Sequence, residues 1–154
     1  MNIDELKHNI QKLTTQLSPN FKYSSSCVDE GSYINFHWLI SENMAIEMNI
    51  DFMDMLITFF FIRLDAHGKP YEVGYYANPN VGTIRLYFNS ILKFLNIPFE
   101  KKKYPKSTFT KKDVVGLLEN IKASMMFYSY FFENSDKIAI VLADTEVWEQ
   151  IKRN

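Results

Sequence analysis

A single cysteine, Cys27, rules out an internal disulfide, as expected of a chain that works in a reducing cytosol. Glycine is scarce too. None of the five glycines falls in GxGxxG spacing or in GxxxxGK followed by Ser or Thr, so no phosphate-cradling loop is expected. The three histidines, His8, His37 and His67, share no HExxH or related spacing and have no cysteine pair to assist them, so neither a metal site nor a cofactor is expected. The first residues carry no basic region followed by an apolar run, so no secretory leader is expected. The longest apolar stretches, 56–62 and 125–132, are far shorter than the roughly 20 residues a membrane helix needs. These absences together predict a cytoplasmic protein with no membrane partner. The net charge of −1 provides no global field to draw nucleic acid.

What the sequence has in quantity is apolar and aromatic side chains, 47% and 16% of the chain, which excludes a disordered polymer. Its 154 residues suffice for one domain, 1–154, with one core. The charge is uneven. Residues 1–100 hold 7 basic and 11 acidic groups, and residues 101–154 hold 10 and 7.

The firmest local pattern is a hairpin. Ile34, Phe36, Trp38 and Ile40 alternate with Tyr33, Asn35, His37 and Leu39, and beyond Ser41-Glu42-Asn43 the alternation resumes with Met44, Ile46, Met48 and Ile50. Pairing Ile40 with Met44 sets Trp38 opposite Ile46, Phe36 opposite Met48 and Ile34 opposite Ile50, so every apolar residue lands on one face. A third strand over 55–65 is apolar on both faces at its centre, as a strand covered on both sides would be. Covering the second face calls for the C-terminal segment or a second subunit, so a homodimer is an expectation. Asp65 to Pro70 supplies turn residues, and 71–77 is expected to return as a fourth strand.

Helices are expected on either side of this sheet. Ile3, Leu6, Ile10, Leu13 and Leu17 recur at helical spacing, and Ser18-Pro19 stops them. Thr83 is expected to cap a helix over 83–96, and Thr110 with Asp113 to cap a longer one over 110–132. Residues 20–32 read as loop, with Phe21 and Tyr23 able to edge a short strand. Residues 136–143 fit either a fifth strand or a helix. The fold class is therefore α+β: an antiparallel meander of four to five strands packed by an N-terminal helix and two or three C-terminal helices.

No catalytic constellation emerges, so a non-enzymatic binding protein is expected. Asp65-Ala66-His67 reads as turn chemistry. Cys27 has only Lys22 nearby as a base, and Asp29 and Glu30 oppose a thiolate, so it reads as a small free residue. Met44 and Met48 share the apolar alternation and read as core rather than as soft-metal ligands. The basic strip Lys101, Lys102, Lys103, Lys106, Lys111 and Lys112, flanked by Tyr104 and Phe109, reads as a solvated connector more readily than as a nucleic-acid contact. His37 opposite Glu47 is expected to be an exposed cross-strand pair worth under about 1 kcal/mol. What remains is the second sheet face, where Tyr33, His37, Glu47 and Asp51, with Glu42 and Asp54 close by, present aromatic and acidic groups suited to a basic protein partner.

In the general look of the whole chain, without any diagnostic motif, the protein resembles the small cytoplasmic immunity proteins of bacterial contact-dependent and polymorphic toxin systems. The resemblance implies an inhibitor that binds a toxin domain, often a nuclease, and occludes its active site, with Glu47, Asp51 and Asp54 as the nearest carriers of that role. A second resemblance, to type III secretion chaperones, rests on an amphipathic first helix followed by an antiparallel sheet, and implies a dimer that binds a secreted effector. The chain departs from those chaperones in expecting consecutive long helices at 83–96 and 110–132.

Overall fold

The computed structural model describes residues 1–99 and 108–153. The chain starts with a helix, α1 (Ile3–Leu17), whose first N–H groups are capped by Asn2: its side chain accepts from the Asp4 and Glu5 amides. Four antiparallel strands follow, β1 (Ser25–Asp29), β2 (Tyr33–Leu39), β3 (Met44–Asp51) and β4 (Leu56–Arg63). Among the described residues there follow three short strands, β5 (Ala77–Asn78), β6 (Gly82–Thr83) and β7 (Arg85–Tyr87), and five helices, α2 (Phe88–Phe94), α3 (Val114–Phe127), α4 (Ser129–Glu133), α5 (Ser135–Leu142) and α6 (Thr145–Arg153). The main sheet runs β1-β2-β3-β4-β7. The fold is α+β, as the pattern predicts.

The β2–β3 register is the one the alternation demands: Ile34 pairs with Ile50, Phe36 with Met48 and Trp38 with Ile46. Those residues, with Ile57, Phe59, Phe61 and Leu86, form the buried face on which Leu6 and Ile10 of α1 and the C-terminal helices pack. Aromatic rings dominate that core. Phe88 stacks on Phe131 with centroids 3.7 Å apart, and Trp38 meets Phe132 edge-on at 5.3 Å.

Several elements differ from the sequence expectation. Residues 25–29, expected as loop, form the edge strand β1, with Cys27 opposite Phe36. Of residues 71–77, expected as a strand, only Ala77 is in one, the short β5, and 71–76 are an irregular strap, because the place beside β4 belongs to β7, which pairs Leu86 with Phe61. Thr83 therefore caps no helix. Residues 83–87 are extended, and the helix starts at Phe88. Asp113, not Thr110, caps α3, its carboxylate accepting from the Gly116 amide at 3.0 Å. Of residues 136–143, all but the C-cap Ala143 are helical, within α5. The C-terminal helix is tied to the sheet edge: Arg63 lies 4.9 Å over the Trp148 ring, and Glu149 accepts from the Thr83 amide at 2.7 Å.

At Phe60 and Ile62 the second apolar face of β4 is covered within the chain, while Leu56 at its start stays exposed. Phe60 and Ile62 form a second small core with Ala45 and Leu64, and Tyr76 of the strap and Tyr87 of β7 pack on Phe60. Among the described residues no helix is long and apolar enough to cross a membrane.

Candidate functional site

The second face of the sheet divides into a sealed half and an open half. In the sealed half, His37 and Glu47 are cross-strand partners, but they are 4% and 1% exposed and not the surface pair the alternation suggests. Sequence reasoning had no sight of the cause, Arg85. Its Nε donates to Glu47 Oε1 at 2.9 Å and its Nη2 to Glu47 Oε2 at 3.1 Å. His37 Nε2 lies 2.8 Å from the same Oε2. The remaining guanidinium hydrogens reach the strap: Nη1 donates to the carbonyls of Glu72 and Tyr75, and Nη2 to that of Tyr71. All five donors of the guanidinium fork are thus used. The carbonyls of Tyr71, Glu72 and Tyr75 face an arginine instead of a neighbouring strand, which is why 71–75 forms no ladder.

Burial by itself pushes the Glu47 carboxyl up; the hydrogen bonds from His37 and Arg85 and the charge of Arg85 outweigh it and hold the group below its ordinary value. A carboxyl lowered in the folded state contributes stability that is present above its unfolded pKa and lost as pH falls through the folded one. The expected result is a loss of stability on acidification below about pH 4.3, the ordinary glutamate range, that a Glu47→Gln variant lacks. Urea midpoints measured from pH 6 down to pH 3 check this; parallel curves for the two proteins would refute it.

The open half lies at the other end of the strands. A cavity of about 230 Å³ is lined by Asn49, Asp51, Thr58, Phe60, Tyr76 and Tyr87, with Glu47 and Arg85 among its walls. Asn49 is held by its Nδ2, which donates to Asn35 Oδ1 at 2.8 Å. Asp51 is positioned by the β3–β4 turn, with Oδ1 accepting from the Met53 and Asp54 amides at 2.9 and 3.1 Å. Tyr76 and Tyr87 are stacked at 5.6 Å and share a hydroxyl–hydroxyl hydrogen bond of 2.8 Å. Burial and that bond push the Tyr87 phenol up to about 12, so it stays neutral.

The expected partner-facing residues therefore separate. Tyr33 and Asp51 are cross-strand neighbours, both half-buried, and Asp54 is exposed in the adjoining turn. Glu42 is exposed at the opposite end of the hairpin, next to the turn of Gly68. His37 and Glu47 face the interior and are withdrawn from any contact surface. Met53, Met55, Leu56, Tyr75, Tyr76 and Tyr87, none of which the sequence marked as partner-facing, are exposed, and Tyr76 and Tyr87 among them line the cavity. The one available signal was Arg85 itself, a lone charge between Ile84 and Leu86 in an alternating run.

Other sequence candidates are also placed. His8 and His67 are exposed and far apart in the chain, and among the described residues no group of three His, Cys, Asp or Glu can hold a metal ion. Asp65 accepts from the His67 and Lys69 amides, as turn chemistry requires. Cys27 is half-buried, and burial pushes its thiol up to about 11, which suppresses the thiolate. Lys101, Lys102, Lys103, Tyr104 and Lys106 lie outside the described residues; Lys111 is engaged with Asp29 at 2.6 Å and with the Gly31 carbonyl. No protein-family model matches the chain, and neither a curated protein nor a solved structure is similar to it.

Proposed function

We propose that the protein is a non-enzymatic, protein-binding inhibitor of the bacterial cytoplasm, a toxin-neutralising immunity protein that docks through the open half of its second sheet face. The observation that carries this reading is a cavity whose lining includes Asp51 and the exposed Tyr76 and Tyr87, next in the chain to the exposed Met53, Asp54 and Met55 of the β3–β4 turn with Leu56 at the start of β4, and to the exposed Tyr75 of the strap. Tyrosine and methionine are enriched in the contact surfaces of protein complexes. The carboxylates add a charge that complements the Lys and Arg with which a nuclease holds phosphate.

Co-expression with the toxin encoded beside its gene tests the proposal, with cell survival as the readout. Asp51→Asn combined with Asp54→Lys keeps an oxygen acceptor in the β3–β4 turn, so circular dichroism is expected to be unchanged while protection is lost. Association of the purified pair is expected to slow as salt rises, because steering between opposite charges is screened. Full protection by the double variant would remove this face from the interface.

A further inference from the structure

The cavity itself narrows what the partner presents. We propose that it is a socket for one cationic side chain, lysine or arginine, projecting from the partner protein; the proposal rests on the protein-binding reading above. Its volume, about 230 Å³, is below the roughly 300–1,000 Å³ of small-molecule sites and suits a single long side chain.

Charge selects the sign of the guest. Glu47 and Arg85 neutralise one another with side chains 1% and 2% exposed, and all five Arg85 donors are occupied by Glu47 and the strap carbonyls. An anionic guest would therefore find no donor on Arg85 and would meet the Asp51 carboxylate. A cation finds that carboxylate already oriented by the Met53 and Asp54 amides, so little side-chain freedom is lost on binding. Phe60, Tyr76 and Tyr87 form a contiguous aromatic lining, with centroids 4.8–6.0 Å apart. Aromatic faces attract ammonium and guanidinium groups and pack on their methylene stems.

The test needs no partner. Isotope-labelled protein is titrated with n-butylguanidinium and n-butylammonium, and with n-butyramide and butyrate as neutral and anionic controls, followed by NMR. The two cations are expected to shift the Asp51 amide and the Tyr76 and Tyr87 ring signals and to bind at least about fivefold more tightly than butyramide, the scale of an exposed cation–π contact. Asp51→Asn is expected to abolish that preference with the rest of the spectrum unchanged, and Tyr76→Leu to weaken it. Equal binding of cation and amide, a preference for butyrate, or an undiminished preference in both variants would overturn the socket. A cavity that binds cations in a protein whose rim variant still protects cells would refute the inhibitor surface and leave the socket standing; the opposite result would refute the socket alone.

Discussion

Replacing Arg85 by methionine is expected to lower the unfolding free energy by about 3–5 kcal/mol, the usual cost of removing one partner from a buried ion pair. The change leaves Glu47, 1% exposed, with His37 as its only remaining hydrogen-bond partner among the described residues. It also strips the donor from the carbonyls of Tyr71, Glu72 and Tyr75, each of which must then find water or go unbonded. The strap should loosen as a unit, visible as faster proteolysis or amide exchange across residues 71–76. Removing both charges, Glu47→Leu with Arg85→Met, is expected to recover part of the loss, since no uncompensated charge then remains, but not the part that belongs to the strap carbonyls. Urea unfolding of the two single variants and the double gives the coupling directly. Strictly additive losses would show that the pair is not a unit, and an Arg85→Met cost under about 1 kcal/mol would show that the interior tolerates the lone carboxylate.

Trp38→Ala is expected to cost about 3–5 kcal/mol as well, through lost burial and the cavity left behind. The indole is 2% exposed and its ring contacts Phe21, Phe36 and Phe132 at 6.1, 4.6 and 5.3 Å. Those neighbours come from the loop after α1, from β2 and from α4, so the hole touches three separate parts of the core and cannot close by moving one of them. The contrast with Glu47 is instructive. As an exposed cross-strand residue Glu47 would be nearly neutral to replace; as the buried partner of Arg85 its replacement by alanine is expected to match the tryptophan. Urea midpoints of Trp38→Ala and Glu47→Ala decide the matter: a large shift for the first with none for the second would restore Glu47 to the surface.

Where an element's own periodicity decided its conformation, the sequence was enough. Helix α1 and the β2–β3 register follow from alternation and spacing alone, because a slip of one residue would turn Ile34, Phe36, Trp38, Ile46, Met48 and Ile50 out of the core. Where two periodicities fitted, it was not. Ile84, Tyr87, Phe88, Ile91 and Leu92 satisfy helical spacing, yet residues 85–87 are extended because β4 offers an unpaired edge at Phe60–Ile62. Tyr71–Tyr75 alternate like a strand, yet Arg85 claims their carbonyls first.

The sequence by itself therefore determined the α+β class, the central hairpin and the division of its side chains between two faces. Which part of the second face meets solvent was decided only by the tertiary structure. The polar residues of a strand alternate in the same way whether water or protein covers them, and burial depends on what the rest of the chain lays on top. Arg85 stands 38 positions from Glu47, a separation no local pattern reports. Once it pairs there it ties Glu47, with His37 bonded to it, to the strap, and leaves Asp51 and the tyrosines as the face open to a partner.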